Sequence, residues 1–219
     1  QGRLLLELNQ ETMRHVLDLK RSQLERLAQH RDQLRKSPHL RWLFFEITDR
    51  CNLKCMHCGS NCSAEGSYLA VDDIKAALRS ALREKPMICL TGGEPMLHPA
   101  FFEIADRVSS MGFDWGMTTN ATLIDDAAAR RLKQAGLCTV SVSLDGMERA
   151  HDSFRRQNGA WRRAIRGLQA LQNAGIDPQV TTVFHRENFH ELEPLYAFLC
   201  DIGITNWRPI NIEPIGRAC

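Results

Sequence analysis

The chain has 219 residues, enough for one domain with a sizeable core. With 43% hydrophobic and 25% charged residues, its composition is that of an ordinary globular protein, which excludes the disordered and fibrous classes. A formal charge of +2 is too close to neutral to argue for a nucleic-acid partner, and no apolar run approaches the length that spans a bilayer.

Residues 9–36 read as one long amphipathic helix. Met13, Val16, Leu17, Leu24, Leu27 and Leu34 recur at spacings of three, four and seven, with charged residues between them. Asn9 is placed to cap this helix and Pro38 to end it. Nine Lys/Arg stand against five Asp/Glu in residues 1–41, a surplus that a solvated basic helix face accounts for. The helix either packs across one end of the domain that follows or docks a partner.

Strands and helices then alternate. Apolar runs mark strands at 40–48, 87–90, 114–118, 137–144, 179–184 and 206–212, with helices at 70–84, 98–111, 124–135, 159–174 and 189–202. Gly112, Gly136, Gly175 and Gly203 each follow one of these helices. Six strands joined by helical crossovers make a parallel α/β sheet with helices outside. The pattern does not separate an open doubly wound sheet from a curved barrel.

Cys51, Cys55 and Cys58 follow the first strand with the spacing C-x3-C-x2-C. Three thiolates on one loop can hold three irons of a four-iron cluster and leave the fourth open to an exogenous ligand. Zinc is the competing reading, with Cys62 completing a four-thiolate set. Either way, clustered spacing favours metal ligation over disulfides, and so a reducing, cytoplasmic setting. Cys89, Cys138 and Cys200 lie in apolar surroundings and read as small buried hydrophobes.

Every further motif falls where a strand ends, which is where βα architectures gather their active sites. Gly92-Gly93-Glu94-Pro95 closes the second strand: two glycines let the backbone approach a ligand, and Glu94 can accept from an ammonium. Thr118-Thr119-Asn120 closes the third strand. Ser141, Ser143 and Asp145 share one face at the end of the fourth. Ordinary turns and strand-end capping are the alternatives for each of these. Arg155 follows His151-Asp152. With Arg156, Arg162, Arg163 and Arg166 close behind, it reads equally as an anion ligand or as part of a solvated basic face.

Taken in order, the cysteine triplet, Gly92 to Pro95, Asn120 and Ser143 to Gly146 resemble the radical S-adenosylmethionine (radical SAM) enzymes over residues 40–217. The resemblance implies a partial (β/α)6 TIM-like barrel over residues 39–219, preceded by a helical extension at 1–38. It also implies a 4Fe–4S cluster on Cys51, Cys55 and Cys58 whose open iron is chelated by SAM. One electron from the cluster then splits SAM to methionine and a 5′-deoxyadenosyl radical, which abstracts hydrogen from a substrate. In that family Gly92, Gly93 and Glu94 correspond to the segment that holds the SAM amino group, and His57 to a neighbour of the adenine. Ser143 and Asp145 would contact ribose or the methionyl carboxylate, with Asn120 nearby, although Ala121 replaces the usual glycine. Arg155 would reach the carboxylate, and Val183 and Ile212 would form apolar walls for the adenine or simply fill the barrel core.

A one-electron donor such as flavodoxin or ferredoxin is implied as a partner. No side chain is assigned to acid–base work or radical quenching. Gly216-Arg217-Ala218 resembles the segment that precedes a cysteine-rich SPASM extension, with Cys219 at its threshold. The expectation is therefore the core of a longer peptide- or protein-modifying maturase. A small-metabolite substrate, such as a tetrapyrrole or a molybdenum-cofactor precursor, is the alternative. A non-catalytic zinc or iron–sulfur module is the reading of another class.

Overall fold

A computed structural model describes residues 2–219, with side chains from residue 15 onward. Two compact units emerge, Gln1–Leu40 and Arg41–Cys219. The first is a single helix, α1 (Gly2–Lys36), in which Val16, Leu17, Leu24 and Leu27 are exposed. It begins two turns before Asn9, so Asn9 is not its cap. The strong helix formers Leu4 to Leu8 carry the helix upstream. The side chains of Asn9 and Met13 lie outside the described residues.

The second unit is a six-stranded sheet in sequence order, every neighbouring pair parallel. Its strands are β1 (Trp42–Thr48), β2 (Met87–Gly92), β3 (Trp115–Thr119), β4 (Leu137–Ser143), β5 (Pro178–Phe184) and β6 (Asn206–Asn211). The crossovers carry α2 (Val71–Ala81), α3 (Phe101–Ser110), α4 (Asp126–Gln134), α5 (Glu148–Arg155), α6 (Ala160–Asn173) and α7 (Leu192–Asp201). This is the partial (β/α)6 barrel expected, left open between β1 and β6. The four glycines named above all take positive φ at their helix ends. Among the described residues no helix is long and apolar enough to cross a membrane.

Alternation along each strand divides the sheet into two faces. Register aligns Phe45, Leu90, Met117 and Val140 in one row, all buried in a single core with Ile74, Leu78, Ile104, Leu132, Leu168 and Leu195 from the helices. Trp115 is fully buried there, and its indole N–H donates to Ser109 Oγ and Ala135 O, each at 3.0 Å. The opposite row runs Phe44, Cys89, Gly116 and Thr139 on the uncovered face. That alternation corrects the reading of Cys89, the register shift that skips Cys138 between Leu137 and Thr139 corrects that of Cys138, and the helix surface corrects that of Cys200. Cys89 is half-buried, Cys138 is exposed, and Cys200 is exposed on α7.

Element ends differ from the sequence expectation by a few residues, for local reasons. α2 stops early because Lys85 takes positive φ ahead of Pro86. α3 starts late because His98 Nδ1 accepts from Ala100 N–H after Pro99. α5 was not expected at all, since its eight polar-rich residues carry no extended apolar stripe.

α6 packs on the loop leaving β3. A Cβ on Gly167 would lie 2.4 Å from Ala121 O and 2.9 Å from its Cβ. Gly167→Ala is therefore expected to cost about 1–3 kcal/mol by overpacking. Denaturant unfolding checks it, with Gln169→Ala on the exposed side of α6 changing stability by less than about 0.5 kcal/mol.

Candidate functional site

After Thr48 the chain runs through Cys51, Cys55 and Cys58 and folds back on the strand it left. Cys51 N–H donates to Ser63 O (2.8 Å), Ser63 N–H to Asp49 O (3.1 Å) and Thr48 Oγ1 to Ser67 O (2.7 Å). Two N–H groups of the loop also reach the last turn of α5, Lys54 to Arg155 O (3.3 Å) and Met56 to Phe154 O (3.0 Å). Those carbonyls are the ones a helix end leaves without partners.

The end of β2 presses against the base of this loop. Gly93 N–H donates to Thr48 O (2.7 Å) and Glu94 N–H to Arg50 O (2.8 Å). A Cβ on Gly92 would stand 2.1 Å from Thr48 O, and one on Gly93 2.0 Å from Arg50 O, so neither position admits a side chain. Glu94 is fully buried beneath the turn. Its Oε1 accepts from Thr119 Oγ1 (2.7 Å) and Met96 N–H (3.4 Å), and its Oε2 accepts from Asn120 N–H (2.8 Å). Burial pushes its pKa up to about 7, outweighing the donors that favour the carboxylate. Asn120 in turn donates to Asn52 Oδ1 at 2.9 Å, tying β3 back to the cysteine loop.

Asp145 is also fully buried, and every polar atom it has is used. Its N–H donates to His151 Nδ1 (3.1 Å) and its carbonyl accepts from Asn188 Nδ2 (2.9 Å). Oδ1 accepts from Val183 N–H (2.9 Å) and Oδ2 from Arg155 Nε (2.6 Å). Burial opposes its charge, but the Arg155 guanidinium holds it below the usual carboxylate range. Arg155, itself buried, extends Nη1 to Cys55 Sγ at 3.5 Å. It is therefore no part of a solvated basic face.

These elements enclose a cavity of roughly 220 Å³ at the strand ends. Cys51, Cys55, Cys58, His57, Gly92 and Gly93 line it, together with Asn120, Ser143 and Arg155. Glu94 and Asp145 lie beneath the lining. Val183, paired in register with Ile210, and Ile212, whose N–H donates to Phe184 O, lie outside it. His57 stacks on Phe154 with centroids 4.4 Å apart and planes 2° apart, and Phe154 stacks on His185. Burial, then Arg155, lowers the His57 pKa to about 4, and its Nδ1 has no partner among the described residues.

Cys51, Cys55 and Cys58 all line this cavity, and thiolates are the usual ligands of an iron–sulfur cluster. Among the described residues no three His, Cys, Asp or Glu side chains stand together as they would around one ion. Thiolates that each take a different iron need no common point. Cys62 is buried and lines the same cavity.

Two features escaped the sequence. Thr119 is buried and bonded to Glu94. Arg217, read above only as part of a subgroup marker, lines the cavity and donates to the cysteine loop from the far edge of the sheet. Its contacts span more than 150 residues, and a local motif carries no trace of them.

The family model of the radical SAM superfamily matches residues 45–199. AdoMet-dependent heme synthase of Nitratidesulfovibrio vulgaris is 33% identical over 187 residues, 83% of this chain and 51% of that protein. GTP 3′,8-cyclase of Pelotomaculum thermopropionicum is 34% identical over 192 residues, 82% of this chain and 57% of that protein. This chain thus spans about half the length of the curated relatives it matches. Among solved structures, Streptococcus suis SuiB bound to S-adenosylmethionine superposes with a TM-score of 0.70 at 18% identity, covering 87% of this chain and 45% of SuiB. SuiB bound to its precursor peptide SuiA gives 0.70 at 19%. At that identity the likeness concerns the fold.

Glu94→Gln keeps the shape but sets an amide NH2 against groups that all donate. It is expected to cost about 1–3 kcal/mol in denaturant unfolding. Because the folded pKa of about 7 lies above the ordinary 4.5, Glu94 makes the wild type lose stability as pH rises through that window. The Gln variant should lack that slope.

Proposed function

This chain belongs to the radical SAM superfamily, and we propose that it cleaves S-adenosylmethionine reductively at a 4Fe–4S cluster and abstracts hydrogen from a peptide or protein substrate. The observation that carries the reading is the gathering of Cys51, Cys55, Cys58 and the Gly92-Gly93 turn around one cavity. When bound, the cluster and SAM supply one-electron cleavage of the sulfonium and radical hydrogen abstraction; the protein supplies position and shelter from water.

In this reading the three cysteines hold the cluster, and Gly92 and Gly93 bring backbone groups to the ammonium of SAM. His57 is neutral near pH 7 and offers the adenine a ring already braced by Phe154. Asn120, Ser143 and Arg155 face the cavity, ready for hydroxyl and carboxylate groups. Glu94 and Asp145 serve from beneath, Glu94 by fixing Thr119 and Asn120, and Asp145 by fixing Arg155. Val183 stays within β5 and Ile212 beyond β6, both outside the cavity lining. Residues 39–219 form the radical SAM core and residues 1–38 a helical extension. The protein works in the cytoplasm, where thiols stay reduced, and takes electrons from a flavodoxin or ferredoxin.

The peptide assignment draws on the SuiB likeness and on Gly216-Arg217-Ala218. A second reading, a tetrapyrrole substrate, is favoured by the 33% identity to a heme synthase. Under anaerobic conditions with dithionite and SAM, the reconstituted protein is expected to form 5′-deoxyadenosine, measured by chromatography. Cys51→Ala, Cys55→Ala or Cys58→Ala should each lower the yield at least about a hundredfold, the upper range seen for losing an outer-sphere partner. An iron chelator should abolish the product, and iron with sulfide should restore it. Mass spectrometry then decides the substrate: modification of a precursor peptide supports the first reading, and conversion of a porphyrin without any peptide mass change replaces it with the second.

A further inference from the structure

We infer that Arg217 raises the reduction potential of the cluster site through Cys55, an inference that rests on the reading just given. Cys55 is held by two guanidinium groups of different electrostatic standing. Arg155 Nη1 donates to Cys55 Sγ, but its Nε lies 2.6 Å from Asp145 Oδ2 and both side chains are buried, so its charge is balanced. Arg217 Nε donates to Cys55 O at 2.8 Å, its Nη1 to Cys62 O at 3.0 Å, and its backbone N–H to Cys58 O at 3.0 Å. It forms no ion pair among the described residues, so its charge stands uncompensated beside the loop that carries the three thiols.

The backbone enforces this placement. Gly216 takes φ +61°, and a Cβ on it would lie 2.4 Å from Cys58 O and 2.6 Å from Gly59 O. A planar guanidinium can span two loop carbonyls from different nitrogens, whereas an ammonium acts as a point charge. Arg217 is thus a positioning residue for the loop and also a fixed cation at the cavity wall.

Three thiolates make the cluster anionic, and one-electron reduction by the external donor adds a further negative charge. A nearby cation stabilises the reduced form more than the oxidised one, and net charge and hydrogen bonding are among the protein's levers on cluster potential. Arg217 neither gives nor takes the electron. It sets how readily the site accepts one.

The test uses wild type, Arg217→Gln and Arg217→Lys, each reconstituted anaerobically with iron and sulfide. Dye-mediated redox titration is followed by electron paramagnetic resonance of the reduced cluster, with iron and sulfide content measured in parallel. Arg217→Gln is expected to hold at least tenfold less reduced relative to oxidised cluster at the wild-type midpoint, equivalent to about 59 mV for one electron. Arg217→Lys keeps the charge and should titrate close to wild type even if it holds less iron. A loaded Arg217→Gln with the wild-type midpoint would overturn the inference. So would an Arg217→Lys shift as large as that of Arg217→Gln, because the effect would then follow geometry and not charge. If Arg217→Gln takes up no cluster, Arg217→citrulline keeps a planar group with its donors and removes only the charge: a lowered midpoint supports the inference and an unchanged one overturns it. A wild type that binds no iron and sulfide would instead overturn the radical SAM reading itself.

Discussion

The ends of β1 and β2 approach so closely that Gly93 N–H reaches Thr48 O and Glu94 N–H reaches Arg50 O, with no room for a Cβ at either glycine. Most of the site depends on that contact. It anchors the residue immediately before Cys51, so the cysteine loop starts from a fixed point. It also drops Glu94 under the sheet end, where the carboxylate takes up the Thr119 hydroxyl and the Asn120 N–H. One backbone crowding between two strands is thereby passed to a third. The glycine pair is required by the fold before any ligand arrives, and the same lack of side chains leaves backbone exposed along the cavity wall.

The Asp145–Arg155 pair organises the other side. Taking two charges out of water costs several kcal/mol per ion, and an apolar pair of equal volume is often no less stable. Stability alone therefore does not account for it. Position does: with all four polar atoms of Asp145 engaged, Arg155 has one arrangement, and its Nη1 falls on Cys55 Sγ. The same residue ends α5, whose final carbonyls accept from the cysteine loop at Lys54 and Met56. This short helix is tied in at that end by the cysteine loop and further back by Asp152, whose carboxylate accepts from Gly159 and Trp161 N–H.

The strands were legible because parallel strands buried under helices read as apolar runs, and the cysteine triplet was legible because cluster spacing is local. What failed in the reading depended on direction or distance. Cys89 and Cys138 sit in apolar runs, yet alternation sends Cys89 to the uncovered face and a register shift between β3 and β4 leaves Cys138 exposed. Glu94 and Asp145 fall in motifs at strand ends, but a motif does not say whether its carboxylate points at a ligand or down into the protein. α5 has too few apolar residues to show a helical period. Arg217 meets Cys55 and Cys62 across the whole sheet, a pairing that no window along the chain contains.

That last separation has a thermodynamic consequence. The cysteine loop is bonded by Gly93 and Glu94 from β2, by Arg155 and Phe154 from α5, and by Arg217 beyond β6. Local bonds such as Cys51 N–H to Ser63 O fold the loop back on β1, but none of these other partners is near Cys51 to Cys58 in sequence, so the loop's full set of bonds exists only when the whole sheet from β1 to β6 has formed. Much of the entropy of ordering the loop backbone is then met by folding and not by ligand binding. Linkage runs the other way as well. A group that binds the folded loop and not the unfolded chain must also stabilise the sheet that completes the loop's bonding.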